Sequence, residues 1–446
     1  MKRDGFGSGL GALMALIGSA VGLGNLWKFP YMAGSNGGAA FILIYIGFMF
    51  ILCLPLLLCE FIIGRGSQAN PVGAFKKLAP GSYWYLNGVM GVVTAFIILS
   101  FYSVVGGWAI KYLLTSFQFG FNTAMDASVE FNSFTQSPLL PVLMHLVFLG
   151  LTVVILWTGV KNGIEKYSKI LMPVLFFMVI ILAIFAINLP NAQEGINFMI
   201  KPDWSKVTPI VVLNALGQGL FSLSLGMGIA ITYGSYIKKS DNLSKVAIVT
   251  IIMDLIFALL AGLVILPSVF AFGYSPTEGP GLLFIVLPEV FARMPGGNIF
   301  AIAFFIVLII AAITSAMSLL EVVISYLTEE KKMPRKKALI YSGTALAITG
   351  SLCSLSLGIL SDFKITGSTI FDFFDKLSST YMMPIGALFI ALFVGWKMKE
   401  KAVRDELSNN GTIKIKAFNI FWFLTRYFVP VAIVLIFFNL LGIFNF

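Results

Sequence analysis

An acidic residue lies in the middle of a strongly apolar stretch of this chain. Asp254 interrupts the run 246–257, and no basic residue falls within one helical turn of it. A carboxylate at the centre of a membrane helix costs about 2.5–3.5 kcal/mol on insertion scales, so we expect it to have a functional partner. Further along the chain, Ala311, Thr314 and Ser315 are spaced i, i+3 and i+4 on one helix face. Oxygen ligands of this kind suit a small hard cation such as Na⁺.

Two other apolar stretches are broken by glycines and contain further polar groups. The first, at 18–30, contains Asn25, and the second, at 217–228, contains Ser222 and Ser224. A broken helix in a membrane exposes carbonyls that can bind a cation, and amides at a positive dipole end that can bind an anion. The two stretches together predict one site for a carboxylate and a cation. Two alternatives stay open: the glycines only allow close helix packing, and the hydroxyls bond back to their own helices.

Four other charged residues lie within or at the ends of apolar stretches. Glu60 and Glu321 are expected to tie helices to backbone amides or loop cations, with direct ligation as the less favoured alternative. Lys28 and Asp375 should lie at outer helix ends, where they could form an ion pair, although an unpaired lysine could also snorkel. An enzyme is not indicated, because the sequence has one histidine, no phosphate-binding glycine–lysine loop and no metal-ligand cluster.

The composition indicates the solvent in which these residues must fold. Hydrophobic residues make up 58% of the 446 residues and charged residues only 11%, against about a quarter in soluble domains. So few charges cannot cover a globular surface, so we predict an all-α polytopic membrane protein with the lipid bilayer as its partner. The net charge of +10 does not indicate nucleic-acid binding, because the basic residues lie in short loops between apolar stretches.

Eleven stretches are long enough to cross the hydrocarbon core, which takes about 20 apolar residues. In chain order, spans 1 to 11 are predicted at 8–33, 39–63, 84–116, 139–158, 165–188, 207–237, 244–273, 298–328, 336–360, 380–398 and 418–444. A cytoplasmic N-terminus puts 22 of the 30 Lys and Arg residues on the cytoplasmic side. The positive-inside rule therefore predicts that orientation, with the C-terminus outside. Outer loops are expected at 117–138 and 274–297.

The spans are expected to form two inverted repeats. Spans 1–5 and spans 6–10 each open with a glycine-broken helix, and an odd number of spans per repeat inverts the second repeat relative to the first. Matching interrupted helices in inverted halves indicate a transporter with its binding site near the middle of the bilayer. The predicted divisions are a cytoplasmic N-terminal segment, to which the resemblance described below gives a gate role, a first repeat, a second repeat, a cytoplasmic loop and a last span, at 1–7, 8–190, 191–398, 399–417 and 418–446.

Several strings in these spans resemble the neurotransmitter:sodium symporter family, and the resemblance covers essentially the whole chain. They are AVGLGNLWKFP at 20–30, NGG at 36–38, FSLSLG at 221–226 and AAITS at 311–315. The chain is similar to the prokaryotic amino-acid transporters of that family, some of which also have eleven spans. The resemblance implies a sodium-coupled amino-acid symporter that works by alternating access.

The resemblance implies two sodium sites and a substrate site between them. The first sodium site would use the Ala20 carbonyl, Asn25, Ser222, Asp254 and the substrate carboxylate. The second would use the carbonyls of Gly18, Val21 and Ala311 and the hydroxyls of Thr314 and Ser315. The substrate would contact Ala20, Leu23, Gly24, Ile98, Tyr102, Phe221, Ser222, Ser224, Met227, Ser315 and Leu319.

The resemblance also implies two gates and a helix that unwinds. The outer gate would be formed by Lys28, Asp375, Tyr102 and Phe221, with Lys28 in place of the usual arginine. The inner gate would be formed by Arg3, Glu329, Ser235 and Tyr236. In span 5, Gly163 and Pro173 enclose nine residues, like a family motif at which the helix unwinds and admits water to the second sodium site.

Departures from the family pattern bear on the cargo. Gly22 stands where monoamine carriers have an aspartate, so a zwitterionic amino acid is expected. The fixed charge of Asp254 would balance two sodium ions and a zwitterion, which would make chloride unnecessary. Met227 stands where a bulky aromatic residue can narrow the pocket, and this favours large hydrophobic or aromatic amino acids.

The resemblance places the protein in a bacterial cytoplasmic (inner) membrane. A small aliphatic cargo, a sensor that binds without transporting and a channel are the alternatives that remain. Assembly into homo-oligomers is left open.

Overall fold

The protein is a bundle of membrane-length helices. The computed structural model describes residues 5–118, 126–276 and 281–443, and helices account for most of them. No β-strand occurs within these ranges, and the single isolated bridge joins Ile365 and Ser368. Each of the eleven predicted spans contains at least one helix. The predicted all-α membrane fold is therefore confirmed.

Eight spans are single helices that are long and apolar enough to cross a bilayer within the described chain. They are spans 2, 3, 5 and 7 to 11, at Ala39–Ser67, Tyr85–Phe117, Val160–Ile187, Leu243–Ala271, Gly297–Glu329, Arg335–Leu355, Ile370–Lys397 and Phe418–Leu440. Span 4 is the helix Leu140–Leu156, which is bent by 77° from the preceding helix Ala127–Gln136. Spans 1 and 6 are interrupted, as the glycine pattern predicted.

The break in span 1 separates the helix Gly9–Ala20 from the helical segment Gly24–Ser35, and the two are bent by 45°. Val21 leaves the helix with an extended backbone, at φ −75° and ψ 102°. Gly22 follows it in a crowded position, because a Cβ there would lie 2.4 Å from the Ser315 hydroxyl oxygen. A larger residue here would displace the Ser315 side chain of span 8, so glycine allows the two spans to pack closely.

The break in span 6 separates Pro209–Ser222 from Ile229–Gly234. Three residues between them have positive φ: Ser224 at 53°, Gly226 at 86° and Gly228 at 79°. Positive φ is incompatible with a right-handed helix and is easiest for glycine, so these residues end the first half and reorient the second. The predicted breaks are present in both halves of the chain, and the division into repeats at residue 190 stays a prediction.

Span 10 begins earlier than predicted. The expected start was residue 380, whereas the helix runs from Ile370 to Lys397. Its first turns contain Asp372, Asp375 and Lys376, which lower the local hydropathy without preventing helix formation. The prediction was wrong here because hydropathy measures solvent preference and not backbone conformation.

Short helices occupy several segments that were predicted as loops or connections. They are Pro71–Leu78, Ala127–Gln136, Gln193–Ile200, Leu287–Arg293 and Glu400–Leu407. These helices have 7 to 10 residues, which is too short to cross a bilayer. The hydropathy pattern alone therefore did not reveal them.

The predicted basic loops lie together at one end of the bundle. Lys238 Nζ donates to the Gly7 carbonyl at 2.9 Å, and Arg65 pairs with Glu406 at 2.6 Å. We call this end the basic face, and it is formed by residues 5–8, 65–78, 159–169, 235–245, 329–337 and 397–416. The other end is called the opposite face.

Substituting Gly226 tests the packing of the span 6 break. A Cβ at Gly226 would lie 2.3 Å from the Met383 carbonyl, in addition to the strain of its positive φ. Gly411 has a similar φ of 88° with no atom within 4 Å, so Gly411→Ala isolates the backbone strain, which costs about 1–2 kcal/mol. Gly226→Ala should lower the melting temperature of the purified protein clearly more than Gly411→Ala. Equal losses would contradict the packing described here.

Candidate functional site

The carboxylate of Asp254 lies between the two helix breaks. Asn25 Nδ2 donates to Asp254 Oδ1 at 2.8 Å and to Ser222 Oγ at 3.2 Å. Ser222 Oγ in turn donates to Asp254 Oδ2 at 2.9 Å, and the Tyr45 hydroxyl donates to the same oxygen at 3.4 Å. All four residues are at most 2% exposed. Spans 1, 2, 6 and 7 therefore meet at one buried carboxylate.

The partners of this carboxylate are neutral. No lysine or arginine within the described ranges forms an ion pair with Asp254 at 4.0 Å or less. A buried charge without an opposite charge is unfavourable, so the arrangement suits a bound cation. The amide oxygen of Asn25 also faces this region and accepts from the Gly22 amide at 3.2 Å. Carboxylate, amide and hydroxyl oxygens are ligands for a hard cation.

The structure brings together the predicted residues of the first sodium site. Asn25, Ser222 and Asp254 are in mutual hydrogen-bond contact, and Ala20 lines the adjoining cavity. Sequence reasoning missed Tyr45, because a tyrosine in an apolar helix gives no signal of its own. Only the helix packing shows that its hydroxyl reaches the carboxylate.

The predicted residues of the second sodium site lie at the contact between spans 1 and 8. They are Gly18, Val21, Ala311, Thr314 and Ser315. Ser315 Oγ is 3.4 Å from the Ser19 carbonyl oxygen and 3.5 Å from that of Val21. Thr314 Oγ1 donates to the Ala311 carbonyl at 3.1 Å, and a Cβ on Gly18 would lie 3.2 Å from the Thr314 Cβ. Backbone carbonyls and hydroxyls therefore converge here, and none of these five residues is acidic.

Span 5 packs against this second cluster. The Met172 sulfur would lie 3.3 Å from a Cβ on Gly18, and Met172 immediately precedes Pro173. The helix is wound throughout Val160–Ile187, and its first turn is a π-helix that contains Gly163. Gly163 and Pro173 therefore flank a helical segment that covers the cluster. Unwinding of that segment stays a prediction.

A small cavity of about 50 Å³ lies between the two breaks, and Ser222, which donates to Asp254, lines it. All eleven residues predicted to contact a substrate line it: Ala20, Leu23, Gly24, Ile98, Tyr102, Phe221, Ser222, Ser224, Met227, Ser315 and Leu319. Its other lining residues are Ser19, Gly22, Phe101 and Ile229. Backbone groups and hydroxyls from the breaks thus share one cavity with apolar side chains.

Phe221 separates this cavity from a larger one toward the opposite face. Its side chain lines both the 50 Å³ cavity and a second cavity of about 540 Å³. Below it, the Leu23 amide donates to the Tyr102 hydroxyl at 3.4 Å. The Lys28 ammonium lies 3.8 Å from the centre of the Phe221 ring and forms no ion pair with Asp375 within 4.0 Å. In this conformation a cation–π contact therefore holds Lys28 over the ring.

On the basic face, the predicted inner-gate residues Glu329 and Ser235 lie in hydrogen-bonded surroundings. Glu329 accepts from the backbone amide of Asn70 at 2.8 Å and from its side-chain amide at 3.1 Å. The Ser235 hydroxyl donates to the Thr232 carbonyl. Arg3 lies outside the described residues, so its pairing with Glu329 stays a prediction.

The two buried glutamates accept hydrogen bonds from a backbone amide and from an arginine where a loop meets span 9, as expected. Glu321 accepts two hydrogen bonds from the Arg335 guanidinium, at 2.6 and 2.9 Å, and one from the Tyr236 hydroxyl at 2.8 Å. Glu60 accepts from the Gly226 amide at 2.8 Å and so holds the break in span 6. Neither contact places these carboxylates next to Asp254. Sequence reasoning identified the inner-gate tyrosine but not its bond to Glu321.

Comparisons with known proteins point to a single family of transporters. The model of the Sodium:neurotransmitter symporter family matches residues 3–137 and 132–445. A Bacillus subtilis protein described as an uncharacterized sodium-dependent transporter, YhdH, is 43% identical over 442 residues, which are 98% of each chain. A Methanocaldococcus jannaschii protein with a similar description, MJ1319, is 33% identical over 93% of this chain and 86% of its own. The crystal structure of MhsT in complex with L-phenylalanine superposes with a TM-score of 0.90 at 42% identity, covering 98% of this chain and all of that one.

The Glu321–Arg335 pair offers a test of what closes the basic face. Glu321 is fully buried and Arg335 is 21% exposed, so Glu321→Ala takes away the carboxylate with which this partly buried guanidinium forms its ion pair. We expect a loss of about 3 kcal/mol in the free energy of unfolding. Glu400→Ala is the control, because the Glu400–Arg404 pair is about half exposed and should contribute less than about 1 kcal/mol. Thermal unfolding in detergent should separate the two variants; similar melting temperatures would show that the buried pair is not a strong tie.

Proposed function

The chain belongs to the sodium:neurotransmitter symporter family, and on that premise we propose that it imports a zwitterionic amino acid together with sodium ions by alternating access. The observation that carries the proposal is the buried Asp254 carboxylate, which lies between two helix breaks and whose hydrogen-bond partners among the described residues are neutral. A sodium ion bound there neutralises the carboxylate. The ion in turn offers a positive charge to the carboxylate of a substrate in the adjoining cavity.

Two sodium ions are proposed, one at each cluster of oxygen atoms. The first is bound by Asp254, Asn25, Ser222 and the Ala20 carbonyl, together with the substrate carboxylate. The second is bound by carbonyls of span 1 and span 8 with the hydroxyls of Thr314 and Ser315. Because the first ion contacts the substrate directly, sodium and amino acid raise each other's affinity by the same factor.

The cavity supports a large hydrophobic or aromatic amino acid as cargo. At one end the amides of the span 1 break and the Tyr102 hydroxyl receive the substrate carboxylate, and carbonyls receive the amino group. At the other end Ile98, Met227 and Leu319 form an apolar wall. The similar protein MhsT has been solved with L-phenylalanine bound, which agrees with this assignment. Gly22 contributes no carboxylate, so a lone amine would find no partner.

Transport follows from opening the two faces in turn. Sodium ions and amino acid enter from the opposite face past Phe221, which lies between the cavity and the larger vestibule. Rocking of spans 1, 2, 6 and 7 against the remainder then opens the basic face. Unwinding of span 5 between Gly163 and Pro173 lets water reach the second ion and release the cargo. At 100 mV each translocated charge contributes about 2.3 kcal/mol to accumulation.

The orientation follows from the distribution of charge. The basic face is proposed to be cytoplasmic, in a bacterial inner membrane, with the C-terminus outside. Chloride is not required, because Asp254 supplies the negative charge that offsets the sodium ions.

Sodium dependence and charge balance can be tested in proteoliposomes. Replacing sodium by choline should abolish uptake of labelled L-phenylalanine, and Asp254→Ala should do the same. Asp254→Asn removes the fixed charge with little change in shape, so its residual uptake should become dependent on chloride. Asp203→Asn, at an exposed position, is the matched control and should behave as the wild type. Uptake that continues in choline would rule out symport; chloride-independent uptake by Asp254→Asn would rule out the charge-balance argument.

Competition among amino acids tests the cargo. Unlabelled phenylalanine, tryptophan and leucine should compete with labelled L-phenylalanine far better than glycine or alanine. Met227→Phe narrows the cavity and should shift the preference toward smaller side chains, since an overfilled apolar site loses affinity. Met178→Phe, on span 5 away from the cavity, is the control. Best competition by alanine would indicate a small aliphatic cargo, and binding without uptake would indicate a sensor.

A further inference from the structure

The connection between spans 10 and 11 is docked against the basic face. Its helix, Glu400–Leu407, begins three residues after span 10 ends at Lys397. Val403 and Leu407 of this helix are 0% and 1% exposed, so its apolar side is buried against the bundle. We call residues 399–412 the docked segment. It was predicted only as a connecting loop.

Arg65, at the end of span 2, holds the docked segment in place. Its guanidinium is 1% exposed and donates from Nε to the Glu406 carboxylate at 2.6 Å and from Nη1 to the Asp241 carbonyl at 2.6 Å. Its Nη2 donates to Asn409 Oδ1 at 2.9 Å and also to the Glu406 carbonyl. Lys239 Nζ lies 3.0 Å from the same Glu406 carboxylate. One buried cation thus joins three separate parts of the chain.

Asn409 joins the docked segment to the connection between spans 6 and 7 a second time. Its Nδ2 donates to the carbonyls of Ser240 and Asp241, at 3.1 and 3.2 Å, while its Oδ1 accepts from Arg65. Asn409 has a φ of 48°, in the left-handed region that asparagine tolerates. The next residue, Asn410, has a φ of 55°, but its exposed side chain takes no part in these contacts.

We propose that the contacts of Arg65 and Asn409 with Glu406 and Asp241, which we call the brace, keep the pathway at the basic face closed. Arg65 and Asn409 are then positioning residues of the transport cycle. The proposal rests on the alternating-access function proposed above. Arg65 ends span 2 and Asp241 precedes span 7, so both move with the group of spans that rocks. The docked segment is joined to spans 10 and 11 in the remainder. Rocking at the basic face must therefore break these contacts or displace the segment.

The chemistry of the brace favours the closed state. Hydrogen bonds from a guanidinium to a carboxylate are among the stronger ones in proteins, and the low dielectric around a buried group strengthens them further. A conformation that loses these hydrogen bonds has a higher free energy, and its population is lower in proportion to the Boltzmann factor of that difference. The brace is separate from the contacts of Glu321 and Glu329, which lie at the end of span 8.

The chain offers a closely matched pair of variants for the test. Asn409→Gly removes the side-chain amide and keeps the left-handed turn, because glycine adopts positive φ readily. Asn410→Gly makes the same change one residue later, where the side chain is exposed. Glu406→Gln is a second, independent variant that keeps the size of the side chain and removes its charge.

Hydrogen–deuterium exchange of the full-length protein in lipid nanodiscs measures the opening directly. The amides to follow are those at the start of the helix Gly9–Ala20, which lies at the basic face. Without sodium, Asn409→Gly and Glu406→Gln should raise exchange there by about five-fold, the effect of about one hydrogen bond on the population of the open state. Asn410→Gly should match the wild type. Sodium with L-phenylalanine should return the two brace variants to the wild-type level.

The outcomes separate the brace from a general loss of stability. The proposal would be overturned if the three variants showed equal exchange at the start of Gly9–Ala20. The variants compared are Asn409→Gly, Glu406→Gln and Asn410→Gly. Raised exchange spread evenly over all spans, with no response to sodium and L-phenylalanine, would overturn it too, because it would indicate a folding defect. If proteoliposomes with the wild-type protein showed no sodium-dependent uptake, symport would be rejected. The exchange measurements would still show whether the brace holds the basic face closed.

Discussion

A negative charge without a positive partner, deep in the helix bundle, constrains the rest of the structure. The Asp254 carboxylate is fully buried, and Asn25, Ser222 and Tyr45 around it are neutral donors. In an interior of low dielectric such a charge is unfavourable, and a bound cation would offset much of its cost. A cation that comes from water must cross a protein that lipid surrounds. A cation at this site therefore needs a pathway from water, and it needs oxygen atoms that replace its water of hydration.

The interrupted backbones of spans 1 and 6 meet the second need. Free carbonyls and amides at membrane depth require partners, and side chains of neighbouring spans supply them. Glu60 accepts a hydrogen bond from the Gly226 amide in the span 6 break, while Tyr102 and Ser315 contact backbone groups of the span 1 break. Each break is thus held by a span that does not contain it. Whatever binds between the breaks acts on several spans at once, which is what a coupled transporter requires.

Part of the site could be predicted from sequence because its residue types are rare in apolar helices. Asp254 and the hydroxyls of span 8 were identified in this way, and they do lie at converging oxygen clusters. Residues of ordinary type gave no such signal: Tyr45 is an unremarkable aromatic residue, and Met172 an unremarkable apolar one. The relation of Lys28 to Phe221 also escaped prediction. A lysine ammonium is a point charge that can interact with an aromatic ring as well as with a carboxylate. Which of the two it contacts depends on the positions of these groups in the folded protein.

Composition and local pattern were enough to predict the solvent, the spans and the positions of the two breaks, because each depends on a short stretch of chain. Helix boundaries were less certain where polar residues entered a helix, as at the start of span 10. Which polar groups meet could be learned only from the folded chain. Tyr45 reaches Asp254 across 209 residues of chain, and Arg65 reaches Glu406 across 341. Such contacts arise from the packing of helices against one another, and a pattern of hydropathy along one helix contains no information about its neighbours.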